Sequence, residues 1–144
     1  MRRATPTSGR FTGTPVFYTP SRCVRMERTT VINIELAWAA GVIEGEGCFS
    51  YHPAKGGRKA YVRIQVGMTD LDILQRLHSI SGVGVVNGPY LYKRKNGSPA
   101  KPIWSWAVQK QADVAWLLMQ LRPWMGERRT DRIDECLTLM GVNS

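Results

Sequence analysis

Leu36-Ala37-Trp38-Ala39-Ala40-Gly41-Val42-Ile43-Glu44-Gly45-Glu46-Gly47 is the stretch that organises the rest of the chain. Leu36, Ala40 and Ile43 recur at helical spacing and alanine and leucine are strong helix formers, so Glu35 to Glu44 reads as a helix that Gly45 and Gly47 stop. Two carboxylates, Glu44 and Glu46, then flank a glycine at a helix C-terminus, where the potential is already negative. A cation would offset that cost, and hard cations such as Mg²⁺ take oxygen ligands. A solvated helix end is the other reading that the spacing leaves open. Gly41 and Gly45, four apart, would let a second helix approach closely.

Downstream, Phe49 and Tyr51 alternate with Ser50 and His52 as a half-buried strand, and Pro53 to Gly57 reads as a turn. A second strand is expected from Lys59 to Met68, then a helix from Leu71 to Ile80 with Asp70 as its cap and Gly82 ending it. Val83 to Lys95 reads as a third strand broken by Gly88-Pro89, Asn96-Gly97 as a hairpin turn, and Lys101 to Gln109 as a fourth strand. Helices are expected over Ala112 to Leu121 and after Pro123 to about Met140. The order αββαββα(α), with two hairpins each followed by helix, predicts an α+β domain: one antiparallel sheet backed by helices.

Period-two alternation divides the strands into two faces. Phe49, Tyr51, Val62, Ile64, Val66, Trp104, Trp106 and Val108 form an inner set. Ser50, His52, Tyr61, Arg63, Gln65, Asn87, Ile103, Ser105 and Ala107 form an outer set, with Lys93, Arg94 and Lys95 at a hairpin end. A solvated sheet face would also be polar, but this one holds no carboxylate and ends in a basic tip. That shifts the reading toward a surface for the major groove, where Arg and Gln can pair with base edges. Cys48 and His52 share a strand face but lack the further ligands that a four-coordinate zinc requires.

The whole chain has 144 residues with 20 basic and 11 acidic side chains, for a net charge of +9. That length suits one domain, and the longest apolar run, Leu36 to Ile43, is too short for a membrane span. Residues 1–33 carry Arg2, Arg3, Arg10, Arg22, Arg25 and Arg28 against Glu27 alone, without a sustained apolar period. They read as a disordered basic arm or an over-long translation start, with Met26 as an alternative start, and the domain as residues 34–144. The arginine-rich composition also fits an organellar transit peptide. Cys23, Cys48 and Cys136 are widely spaced and odd in number, which points to reduced thiols in a cytosol, that of a prokaryotic host or its phage included.

The Leu36–Gly47 stretch followed by Cys48-Phe49 resembles the motif of the LAGLIDADG homing endonucleases. Ile64-Gln65-Val66, Leu74 to Val85 with Gly82-Val83-Gly84, Trp104-Ser105-Trp106, and Leu121-Arg122-Pro123 followed by Arg128-Arg129 continue the resemblance in the same order. It implies a saddle of antiparallel strands straddling double-stranded DNA. With one motif present, it implies a homodimer on a long, near-palindromic site, its interface at Ala37, Ala40, Gly41 and Glu44, with Glu44 supporting either the helix end or the dimer. It also implies that Glu46, helped by the Gly45 carbonyl, binds Mg²⁺ (or Mn²⁺), and that Arg128 lies near the scissile phosphate. Arg129, as the second of that basic pair, joins the outer face and the hairpin tip as a DNA contact. The reaction so implied is metal-dependent phosphodiester hydrolysis, giving a staggered break across the minor groove. Glu46 stands where aspartate is commoner, and Met68 ends the second strand where certain members place a polar, water-positioning residue. A non-cleaving relative, either a transcriptional regulator or an intron maturase that binds RNA, is the alternative on the same fold.

Overall fold

In the computed structural model, residues 34–142 are described. The expected basic arm and Met26 lie outside them. Helix α1 covers residues 34–46 and passes without a loop into strand β1, Gly47–His52. There follow β2 (Tyr61–Met68), α2 (Leu71–Ser81), β3 (Val85–Tyr90), β4 (Ile103–Val108), α3 (Gln111–Leu121), a 3₁₀ turn over Arg122–Trp124, and α4 (Glu127–Leu139). The strands form one antiparallel sheet in the order β1-β2-β4-β3. The fold is therefore α+β. No helix among the described residues is long and apolar enough to cross a membrane.

Gly45 does not stop α1, contrary to the sequence reading. Its φ is not left-handed, and the helix runs on through Glu46. The stop comes from Gly47, where a Cβ would lie 2.5 Å from the Ile43 carbonyl oxygen and 2.7 Å from Ile43 Cγ2. Only glycine lets the chain turn from helix to strand in one step there.

β3 and β4 are also shorter than the alternation suggests. The hairpin continues beyond Tyr90 as looser pairing, with Ala100 N–H donating to Tyr92 O at 2.9 Å and Arg94 N–H to Ser98 O at 2.8 Å. Pro99 and Pro102 have no N–H to give a regular ladder, so the strands end inside them. Asn96-Gly97 does form the turn, with Gly97 at φ +84°. The β1–β2 connection narrows to Gly56-Gly57, both left-handed, between Lys55 and Arg58, which exchange backbone bonds of 3.0 and 3.1 Å.

All four helices contribute to a core on one face of the sheet. Phe49, Val62, Ile64, Val66, Trp106 and Val108 meet Ala39, Ala40 and Ile43 of α1, Leu74 and Leu77 of α2, the Val114–Leu121 stripe of α3, and Ile133, Cys136 and Leu137 of α4. Burial raises the Cys136 thiol above its usual range, keeping it neutral. The β1 edge is covered by α4, where Arg132 Nε donates to Phe49 O at 3.1 Å. Trp106, fully buried, donates its indole N–H to Val83 O at 3.0 Å and so ties β4 to the segment after α2. Trp106→Phe should lose about 1–2 kcal/mol, combining one buried hydrogen bond with lost volume, measured by urea unfolding.

Candidate nucleic-acid interface and acidic turn

Strand register places the outer set together. Ser50 faces Arg63, His52 faces Tyr61, Gln65 faces Ala107, Asn87 faces Ser105, and Tyr90 faces Ile103. Among the described residues this face holds no strand carboxylate; the nearest acidic side chain in its β3–β4 hollow is Asp113, at the start of α3. His52 stacks on Tyr61 with ring centroids 4.6 Å apart, and its Nε2 lies 3.1 Å from Ser50 Oγ. Gln65 Nε2 donates to Ser105 Oγ at 3.1 Å. Ser105 is only 7% exposed, so it orients Gln65 from beneath rather than presenting itself. Arg63 is half-buried, and its Nε is buried without a hydrogen-bond partner among the described residues. Lys93, Arg94 and Lys95 are exposed at the hairpin end, where Arg94 Nη1 donates to Ser98 Oγ at 3.4 Å.

Sequence reasoning missed Val85 and Tyr90 on this face. Val85 pairs with Ala107 and is 59% exposed; its parity with Asn87 was a usable signal. Tyr90 reaches the same face only through the register shift between Asn87 and Tyr90, which alternation alone does not reveal.

The acidic turn sits where α1 becomes β1, at the start of an outer-face strand. Glu46 is exposed. Arg128, exposed in the first turn of α4, lines a hollow with Gly47, Cys48 and Arg132. Glu46 immediately precedes Gly47, which lines that hollow together with Arg128. No group of three or more His, Cys, Asp or Glu side chains among the described residues could hold a metal. At this turn Glu46 is the carboxylate that α4 does not engage, and with the Gly45 carbonyl it makes a pair of hard-oxygen donors, fewer than the six oxygens Mg²⁺ takes.

Three expected roles are relocated. Ala40, expected at the dimer interface, is 1% exposed and packs into the protein's own core, because it shares a helical stripe with Ile43. Gly41 is exposed and Ala37 half-buried on the other side of α1; nothing lies within 4 Å of a Cβ built on Gly41 or Gly45. Arg129, expected on DNA, points inward. Its Nη2 donates to the Glu44 carbonyl at 2.8 Å, and its guanidinium lies 5.6 Å from the Phe49 ring centroid. Glu44 turns to α4 of its own chain, with Oε2 accepting from Gly126 N–H at 2.9 Å. Met68 pairs with Trp104 on the core-facing side, so the end of β2 adds no polar group to the outer face.

At the α3–α4 bend, Arg122 grips Asp134 through two bonds of 2.7 and 2.8 Å. The bond to Arg122 holds the Asp134 carboxyl below the usual carboxylate range. This pair ties the 3₁₀ turn to α4.

No family model matches the chain, and no curated protein sequence does. Solved structures do. The homing endonuclease I-CvuI, in complex with an I-CreI target, superposes with a TM-score of 0.60 at 19% identity, over 77% of this chain and 68% of that one. An archaeal intron-encoded homing endonuclease complexed with DNA gives 0.53 at 14% identity, over 76% and 70%. The LAGLIDADG meganuclease I-AabMI bound to uncleaved DNA gives 0.53 at 18% identity, over 74% of this chain and 37% of that one. On these superpositions the chain has the fold of the LAGLIDADG homing endonucleases.

Proposed function

We propose that the protein is a LAGLIDADG homing endonuclease: a homodimer that cleaves both strands of a long, near-palindromic DNA site by metal-dependent phosphodiester hydrolysis. The observation that carries this reading is the loop-free junction of α1 with β1. It delivers an exposed carboxylate, Glu46, to the edge of a strand face bearing Ser50, His52, Arg63 and Gln65. Solved structures of the same fold in complex with DNA support DNA as the partner.

Glu46 and the Gly45 carbonyl would hold Mg²⁺ or Mn²⁺. Two oxygen donors in one chain leave room for a site completed by a second copy, and nothing among the described residues lies within 4 Å of a Cβ built on Gly41 or Gly45, where a second α1 helix could pass closely. When bound, such an ion lowers the pKa of a water and stabilises the leaving oxygen. Arg128 offsets charge developing on the phosphate, while the sheet fixes the duplex in register. Lys93, Arg94 and Lys95 add salt-sensitive phosphate attraction. One observation favours the non-cleaving alternative: Met68 faces the core, leaving the end of β2 without a water-positioning group.

The test is Mg²⁺-dependent cutting of a plasmid library of randomised near-palindromic sites, with RNA binding as the arm for a maturase. A discrete cleaved site supports the proposal; sequence-specific binding without cutting supports the alternative. For the dimer, Gly41→Leu should fold normally, gaining up to about 1 kcal/mol in helix propensity, since Gly41 is exposed and nothing among the described residues lies within 4 Å of a Cβ there. The same variant should sediment as a monomer where wild type sediments as a dimer.

A further inference from the structure

The first turn of α4 is fastened to the last turn of α1 by contacts 82 and 85 residues apart in sequence. The α4 N-terminus has Gly126 as its cap residue and no side-chain cap of its own. Glu44 supplies what is missing: its Oε2 accepts from Gly126 N–H, placing negative charge at the positive end of α4. Arg129 answers in the other direction. Its Nη2 bonds the Glu44 carbonyl, placing positive charge where the last carbonyls of α1 lack partners, and its Nε stands 3.7 Å from Glu44 Oε1. Two helix ends of opposite polarity are thereby locked to each other.

The lock has neighbours on both sides. Glu46 lies two residues beyond Glu44, and Arg128 immediately precedes Arg129. Arg128 makes no hydrogen bond or ion pair among the described residues, so its position follows from where the α4 N-terminus is held. Resting on the endonuclease reading above, we propose that Glu44 is a positioning residue. Through Gly126 and Arg129 it sets the separation of the Glu46 carboxylate from the Arg128 guanidinium. The two acidic residues of the turn therefore have different tasks: Glu46 faces the cation, and Glu44 braces the site within one chain, neither ligating metal nor pairing with the second copy.

The full-length protein is compared with Glu44→Ala, Glu44→Gln and Arg129→Lys. Cleavage is read on the site that wild type selects from the randomised library, and the Gly126 amide is read by ¹⁵N NMR. Glu44→Ala should lower kcat about 30- to 100-fold, with KM for DNA and the Mg²⁺ concentration for half-maximal rate each within about threefold. Glu44→Gln keeps an acceptor for Gly126 N–H and should recover kcat to within about fivefold of wild type. Arg129→Lys, which loses the guanidinium fork, should lower kcat with unchanged DNA affinity, and it carries the test if Glu44→Ala does not fold. The Gly126 amide should leave its low-field position in Glu44→Ala alone.

An unchanged kcat in Glu44→Ala overturns the proposal. So does a Mg²⁺ requirement raised tenfold or so in Glu44→Gln, which would make Glu44 a ligand, or a weakened dimer in Glu44→Ala, which would make it an interface residue. If wild type cuts no site while its Gly126 amide still responds to Glu44→Ala, the endonuclease reading falls and the brace between the helices stands.

Discussion

Glu46→Gln will bind the cognate duplex as wild type does and fail to cut it. The substitution keeps the size and hydrogen-bonding capacity of the side chain but removes the charge that a hard cation requires. Glu46 is exposed at the end of α1 and outside the core, so folding is untouched. The chain holds no group of three or more ligand side chains among its described residues, so no preformed cluster replaces the lost donor. The rate of plasmid linearisation in Mg²⁺ should fall on the order of a thousandfold or more, equivalent to about 4 kcal/mol of transition-state stabilisation. Gel-shift affinity measured in Ca²⁺ should change little. Residual cutting near the wild-type rate would move the metal site elsewhere.

Gly47→Ala will damage fold and chemistry together. A Cβ there would stand 2.5 Å from a backbone oxygen and 3.1 Å from a backbone Cα of Ile43, neither of which can swing aside as a side-chain tip could. The clash should cost about 2–3 kcal/mol, lowering Tm by roughly 10–15 °C in a domain of this size. Because Gly47 follows Glu46 directly, the molecules that do fold should cut poorly. Gly45→Ala is the control, since nothing lies within 4 Å of its Cβ and its helical backbone accepts alanine. It should melt no lower than wild type.

The legible parts of this fold are those governed by local periodicity. Alternation alone assigned Phe49, Val62, Ile64, Val66, Trp106 and Val108 to the core face, and all are buried. The same parity placed Ser50, Arg63 and Gln65 opposite them, which the register reproduces. What alternation could not supply was the direction of side chains joined across long stretches of chain. Arg128 and Arg129 are adjacent letters, yet about 100° apart around α4. A closer use of helical spacing would have separated them: Arg129 precedes Ile133 by four residues, on the stripe that continues to Cys136 and Leu137, whereas Arg128 aligns with exposed Asp131 and Glu135. Ala40 carried its own warning, lying one turn before Ile43. The bracing role of Glu44 has no local signature, because its partners come from the opposite end of the domain.

Under the proposed function, the carboxylate that would cut and the strand that would read are consecutive pieces of one stiff rod. With no slack between residues 46 and 47, any variant that slides β1 along the groove to suit a new target also drags the cutting point along the duplex. Retargeting by side-chain exchange at Ser50, His52, Arg63 or Gln65 leaves that gearing alone. Inserting or deleting a residue in β1 would strip it.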